Sequence, residues 1–306
     1  MNNMIVSYAP HIKDKITTSR IMLDVIIALI PAFIASVWIF GPRAALVTAV
    51  CVITCVFSEW AFQKATKRTV TIGDLSACIT GILLAFNLPV GIPLWQAIFG
   101  SAVAIVFVKQ LFGGIGKNFA NPAITARVVM FMAFPITMTT WVQIPDSVTS
   151  ATPLALMKRG ELEALPEMLN MFIGTRGGCL GETSAVALLI GGVYLIIRRV
   201  ITWHTPVAFI ATVFLLTAIS GRQPMYHLFA GGLILGAIFM ATDYPTTPQT
   251  SKGRIIFGIG CGVFTVLIRL FGSYPEGVSF AILLMNMVVP HINRLTMTKA
   301  LGGAKS

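Results

Sequence analysis

The stretch MLDVIIALIPAFIASVWIF (22–40) carries one charge, Asp24, in nineteen residues. A run this long and apolar matches the ~20 residues that a helix needs to cross a bilayer. Further spans of this kind can be drawn at 44–62, 75–88, 94–112, 123–134, 184–197, 206–220, 226–241, 254–271 and 278–291. Of the 306 residues, 56% are hydrophobic and only 11% charged, with a mean hydropathy of +0.85. A soluble domain carries about 25% charged residues. The sequence therefore predicts an all-α polytopic membrane protein: a single membrane domain over 1–306 with about ten transmembrane helices. Several spans, the third, fifth and sixth above all, are too short for a straight crossing. Short, Gly- or Pro-interrupted spans are where discontinuous helices and binding sites occur in transporter-like folds.

The loops orient the spans. Lys13, Lys15, Arg20, Lys64, Lys67, Arg68, Lys117, Arg198, Arg199, Lys252, Arg254, Arg294, Lys299 and Lys305 all fall on one side, which the positive-inside rule makes cytoplasmic. Both termini, 1–20 and 294–306, are then cytoplasmic, and the long connection at 135–183 faces out. The formal net charge of +11 is accounted for by this loop bias. No basic patch interleaved with aromatic residues is present, so nucleic acid is not expected as a partner. The start is polar and mildly basic with a long apolar run behind it, unlike a cleavable leader.

The outer connection contains Asp146-Ser147-Val148-Thr149-Ser150-Ala151-Thr152-Pro153-Leu154. Long loops in compact proteins are usually functional or disordered, and Pro153 biases Thr152 toward an extended backbone. An accessible hydroxyl is expected there. By the local residues alone, Thr149, Ser150 and Thr152 read equally as ordinary loop hydroxyls.

Three other stretches bear chemistry. Gly113-Gly114-Ile115-Gly116-Lys117-Asn118-Phe119-Ala120-Asn121-Pro122-Ala123 opens the short fifth span. Its glycines and helix start suit either an anion such as a phosphate, around Lys117, Asn118 and Asn121, or a plain turn. It lacks the spacing of a P-loop. Gly181-Glu182-Thr183-Ser184-Ala185 resembles Gly73-Asp74-Leu75-Ser76-Ala77 at an offset of 108 residues, the strongest part of a weak internal repeat. Counted as three spans per unit, this repeat would be inverted. Glu182 and Asp74 read first as helix-start carboxylates that offset the dipole. The third stretch, Met240 to Pro248, ends a span with hydroxyls, Asp243 and two prolines. Arg269 reads as an interfacial anchor. An ion path would draw on membrane-adjacent carboxylates: Asp24, Glu59, Asp74, Glu182 and Asp243. The five cysteines form no Cys-x-x-Cys pair; Cys51 and Cys55 share a helix face and read as core packing. Neither a metal site nor an iron–sulfur cluster held by this chain alone is expected.

Together, Gly-Lys-Asn-x-x-Asn-Pro-Ala (116–123), Asp-x-x-Thr-Ser-Ala-Thr-Pro-Leu-Ala (146–155), Gly-Glu-Thr-Ser-Ala (181–185), Ala-Thr-Asp (241–243) and Arg-Leu-Phe-Gly-Ser-Tyr-Pro-Glu-Gly (269–277) give the chain a family likeness. It resembles the D subunits of Rnf complexes (ion-translocating ferredoxin:NAD oxidoreductases) and the related B subunits of sodium-pumping NADH:quinone oxidoreductases. Its length is nearer to the former. Ser150 stands where many relatives have Gly, and the position stays small.

The resemblance implies FMN joined through its phosphate to the Thr152 hydroxyl, within a motif comprising Asp146, Thr149, Ser150 and Ala151. An extracytoplasmic flavinyl transferase would attach it. It also implies an electron-carrying subunit in the inner (cytoplasmic) membrane, partnered by the other membrane and peripheral Rnf subunits. Electron flow would be coupled to Na⁺ or H⁺ transport, and the family permits a second, noncovalent flavin in the bundle. The competing expectations are a solute channel or transporter with an inverted-repeat pore and no flavin, and a purely structural anchor for redox partners.

Overall fold

A computed structural model describes residues 17–143, 148–149, 152–174, 177–272 and 276–297. Fourteen helices occur among these residues: α1 (Thr18–Phe40), α2 (Pro42–Ala65), α3 (Ser76–Phe86), α4 (Leu94–Ala102, continuing as a wider π-turn over Val103–Gln110), α5 (Pro122–Ala133), α6 (Pro135–Met138), α7 (Pro153–Arg159), α8 (Met168–Ile173), α9 (Ala185–Ile197), α10 (His204–Ile219), α11 (Pro224–Phe229), α12 (Leu233–Leu235, continuing as a π-turn over Gly236–Met240), α13 (Ser251–Phe271) and α14 (Val278–Thr296). The chain is an all-α polytopic membrane protein. α1, α2, α13 and α14 are long and apolar enough to cross a bilayer, and α3, α4 with its continuation, α5, α9 and α10 are shorter apolar helices. The expected span at 226–241 is broken: α11 ends at Phe229, and Gly231 and Gly232, both left-handed (φ +68° and +65°), turn the chain into α12. Only glycine takes two successive left-handed residues at little cost.

Short polar residues set the helix starts. Thr17 accepts the Arg20 N–H at α1, Asn121 those of Ala123 (3.0 Å) and Ile124 (3.2 Å) at α5, Ser184 that of Ala187 at α9 and Thr250 that of Gly253 at α13. α10 and α13 pack closely because Gly258 and Gly262, four residues apart on α13, leave room for the α10 backbone; a Cβ at Gly258 would lie 2.8 Å from Thr205 O.

The packing also shows the internal repeat. α2 packs on α4 as α10 packs on α13, α4 meets α5 as α13 meets α14, and α1 lies against α9 and α5 against α14. That is the pattern of two units of five membrane segments, α1–α5 and α9–α14. Asn87-Leu88-Pro89 after short α3 is answered by Asp243-Tyr244-Pro245 after short α12. The 108-residue offset aligns the starts of α3 and α9, but the unit it implies has three spans. Both of those helices open on an acidic-hydroxyl start signal, which is one of the matches at that offset, beside Trp95 with Trp203, Gly113 with Gly221 and Phe131-Met132-Ala133 with Phe239-Met240-Ala241.

The connection at 135–183 is less open than expected. Its described parts hold a two-residue antiparallel ladder, Val142–Gln143 with Val148–Thr149, and the short helices α6, α7 and α8. Leu154 and Met157 of α7, Met171 of α8 and Ala230 form a small buried cluster with Leu165, Tyr226 and Phe229 against it.

Near the other end of the bundle sits a buried ion pair. Lys109 Nζ lies 2.8 Å from Glu59 Oε1 and also donates to Ser76 Oγ (2.6 Å), and Gln110 Nε2 donates to Glu59 Oε1 (2.6 Å). Both ionised side chains are nearly solvent-free. Removing one partner of such a pair strands the other charge, at a cost of about 3–5 kcal/mol, whereas replacing both is often near neutral. Lys109→Met is therefore expected to lower the thermal unfolding midpoint in detergent sharply, and the double variant with Glu59→Met to regain most of the loss. A double variant no more stable than the single one would show that the pair does not act as a unit.

Candidate functional site

Broken helices leave backbone ends inside the bundle, where lipid offers them no partner. Around these ends, polar side chains gather in two places.

The first is a cavity of about 330 Å³ lined by the α1 start (Thr18, Met22), α3 (Ser76, Ile79, Thr80, Leu83), Lys109, the α5 approach (Ile115, Gly116, Asn118, Asn121) and Asp243 to Pro245. Asn118 is buried and donates to Ala120 O (2.9 Å). Asn121 caps α5 and its Nδ2 reaches Met240 O (3.5 Å), tying that helix start to the end of α12. Asn286, oriented so that both its amide atoms are satisfied, accepts from Asn121 N (3.2 Å) and donates to Thr246 O (3.1 Å). Half-buried Asp243 lies in the connection after α12, and burial pushes its carboxyl up to about 6 against opposing hydrogen bonds from Thr246 and Asn118. Lys117 stays exposed outside this cavity.

The second place centres on Arg127, in the middle of α5 and 4% exposed. Its Nη1 donates to Asn87 Oδ1 (2.7 Å) and Ser279 Oγ (3.1 Å); its Nη2 bonds Glu276 and Cys179 Sγ (3.5 Å). Cys179 N donates to Glu182 Oε1 (3.1 Å), and Leu180 N and Gly181 N close on Leu88 O and Phe86 O. One guanidinium thus joins the end of α3, the approach to α9 and the start of α14. Cys179, Glu182 and Glu276 bring ligand-type atoms within 4.8 Å of one another, and Arg127 supplies the positive charge among them. The two places are linked, since Asn87 Nδ2 approaches Met240 Sδ (3.6 Å) while Met240 O takes Asn121 Nδ2. A polar thread therefore runs from Asn118 and Asp243 through Asn121, Met240 and Asn87 to Arg127, Glu276 and Glu182.

Several sequence expectations change here. Asp74 does serve the α3 start, accepting from Ser76 N (2.8 Å), but Ser184 rather than Glu182 caps α9, because Glu182 turns toward Cys179 and the Arg127 cluster. Asp24 pairs with Arg198 (3.1 Å) and accepts from Tyr194 OH (2.9 Å), holding α1 to α9. The five carboxylates expected to form an ion path thus do not line one route. Glu59 and Asp74 sit by Lys109, Asp243 faces the cavity, Glu182 belongs to the Arg127 cluster and Asp24 stands apart. Arg269 is buried instead of interfacial. It donates to the carbonyls of His227 (2.5 Å), Ala230 (2.9 Å) and Glu276 (3.2 Å), closing the exposed end of α11. Cys51 and Cys55 are fully buried in the core. Sequence reasoning misses Arg127, Asn87 and Lys109. Two of them announce themselves as charges inside apolar spans, where an ionisable group marks a functional position by default.

Thr152 has the extended backbone expected (φ −66°, ψ 153°), yet it is 8% exposed and its Oγ1 accepts from Ala155 N (3.3 Å) as the cap of α7. The hydroxyl is covered because Leu154 and Met157 draw α7 onto the bundle. Only the backbone of Thr149 is described, and Asp146, Ser150 and Ala151 lie outside the described residues.

Comparison with known proteins agrees with the site's motifs. Residues 5–302 match the model of the NQR2, RnfD, RnfE family. The chain is 48% identical to the D subunit of the Na⁺-translocating ferredoxin:NAD⁺ oxidoreductase complex of Acetobacterium woodii, covering 99% of this chain and 96% of the relative. It is 42% identical to the D subunit of the proton-translocating ferredoxin:NAD⁺ oxidoreductase complex of Clostridium ljungdahlii (98% and 97%). It is 35% identical to the D subunit of the ion-translocating oxidoreductase complex of Ectopseudomonas mendocina (97% and 95%). Matched over nearly its whole length, the chain belongs to the NQR2, RnfD, RnfE family.

Proposed function

We propose that this chain is the electron-carrying D subunit of an ion-translocating ferredoxin:NAD oxidoreductase complex of the inner membrane. In this reading it bears covalent FMN on Thr152 at the outer side and a second, noncovalent flavin in the cavity at the cytoplasmic side. One observation carries it: a single bundle offers a motif hydroxyl on its 135–183 connection and, apart from it, a ligand-sized cavity from which a polar thread runs to Arg127, Glu276 and Glu182. The cavity's volume lies at the lower end of the roughly 300–1,000 Å³ usual for small-molecule sites. Its walls suit a flat ring, with apolar Ile79, Leu83 and Met22 for the faces and Asn118, Asn121, Asp243 and Lys109 for the edge. A flavin held there supplies one- and two-electron redox chemistry. The chain's own residues would fix its position, keep lipid out and present hydrogen-bonding groups. Coupling to Na⁺ or H⁺ would use the carboxylates along the thread, and the relatives' names include both ions. The other subunits of the complex and an extracytoplasmic flavinyl transferase are the partners in this reading.

Thr152→Ala should abolish flavin fluorescence that survives denaturing electrophoresis of the chain co-expressed with a flavinyl transferase, while Thr152→Ser retains it. Fluorescence undiminished in Thr152→Ala would move the attachment elsewhere.

Flavin released by denaturing the purified complex should fall several-fold in Asn118→Ala, with the covalent signal unchanged. Because the Asp243 carboxyl sits at about 6, it loses its proton as the pH rises through that value. Affinity for the released flavin should therefore change near pH 6 in the wild type and stay flat in Asp243→Asn, measured by equilibrium rebinding. A pH profile identical in both proteins would remove Asp243 from the site.

A further inference from the structure

In the seated form of α7 the acceptor residue is nearly covered by protein. Thr152 is 8% exposed, Pro153, Leu154 and Met157 are buried, and Thr152 Oγ1 already holds the Ala155 N–H. Three contacts keep the helix down. Leu154 lies directly over Gly231, where a Cβ would overlap Leu154 Cδ1. Met157 packs with Met171 and Ala230. Lys158 Nζ, at the last turn, donates to Gly272 O at the end of α13. The seat itself is firmly built, because Arg269 fixes the carbonyls of His227 and Ala230 beneath it, and Tyr226 OH donates to Pro166 O (3.1 Å) beside it.

Forming the phosphoester requires Thr152 Oγ1 to attack the phosphorus of an activated flavin phosphate, a flavin dinucleotide by class. The new O–P bond forms as the phosphoanhydride breaks. AMP leaves, and the hydroxyl proton passes to a base of the transferase; nothing is oxidised or reduced. An in-line attack needs the oxygen clear of neighbours on the side facing the phosphorus. A capped, covered hydroxyl does not offer that.

We infer that flavin attachment occurs on a form of the chain in which α7 has lifted from its seat, and that Leu154 on Gly231 together with Met157 sets how often that form arises. The inference rests on Thr152 being the acceptor. Local opening of a short element held by few apolar contacts needs far less free energy than global unfolding. Truncating a buried Leu or Met weakens such a seat substantially. The seat thereby controls when the chain is modified: a chain not yet packed, or one held open by the transferase, is the substrate. The packed, unmodified chain is a slow one.

The test uses the full-length chain in membranes with an active transferase and a flavin dinucleotide, following flavin mass on the peptide containing residue 152 over time. Leu154→Ala and Met157→Ala should each raise the incorporation rate by roughly tenfold or more. In parallel, T152C should react slowly with a maleimide in the otherwise native chain and at least about tenfold faster with Leu154→Ala added, a readout independent of the transferase. Incorporation at the native rate in both seat variants, or maleimide labelling of T152C as fast as that of an exposed thiol before the seat is weakened, would overturn the inference while leaving Thr152 as the acceptor. A wild-type chain that takes no flavin on the 152 peptide would overturn both. A seat variant that had lost its fold would show itself by labelling of the buried thiols Cys51 and Cys55, and the intact T152C chain would still decide the question.

Discussion

The guanidinium of Arg127 is the interaction on which the centre of the bundle depends. Three chain segments end or begin around it, and inside the bundle lipid offers their polar groups no alternative partner. Arg127 reaches Asn87 at the end of α3, Cys179 on the approach to α9, and Glu276 and Ser279 at the start of α14. A buried arginine is expensive unless it is paired and hydrogen-bonded. Here the carboxylates of Glu276 and Glu182 stand beside it, and its planar fork serves two directions at once, which a lysine's point charge could not do. Broken helices and buried charge thus require each other in this fold. The breaks supply the acceptors, and the charge makes the breaks tolerable.

The same logic, with neutral groups, shapes the other end. There Asn121 bridges the start of α5 to the end of α12, as Arg127 bridges α5 to the end of α3. Asp243 and Asn87 occupy matching places after the short helices of the two five-segment units. The place after α3 is filled by an arginine and its acidic partners, whereas the place after α12 is open, with a cavity between Asn118, Asn121, Asp243 and Lys109. In the proposed function, the open place is the one that would take the planar cofactor.

Much of this is legible in the sequence. The apolar spans, the ten-segment count and the short helices follow from run length and from Gly and Pro. Asn121-Pro122 and Thr250 announce their helices by cap chemistry alone. What the sequence hides is direction and partnership. Arg269 reads as an interfacial anchor because it lies near a helix end, and only the fold shows that the broken span ending at Phe229 leaves carbonyls for it to cover. Glu182 reads as a cap because it precedes a helix, yet Ser184 is better placed for that bond and frees the carboxylate for the Arg127 cluster. The 108-residue offset misleads because two helix-start signals resemble each other more than distant, diverged segments do. Thr152 reads as open since loops usually are; the apolar residues at 154 and 157, one helical turn apart, are the available sign that this piece of the loop turns helical and docks.

Two flavins on one chain, one bonded at Thr152 and one held in the cavity, would give electrons two stations on one bundle. The most direct measurement is the flavin stoichiometry of the chain isolated from its native complex, with the bonded and acid-released fractions quantified separately and the bonded one mapped by mass spectrometry. The expected result is one FMN on the peptide containing Thr152 and one further flavin released per chain. An unmodified Thr152 peptide with no released flavin would contradict this, and would leave the bundle to be explained as a passage for solutes rather than for electrons.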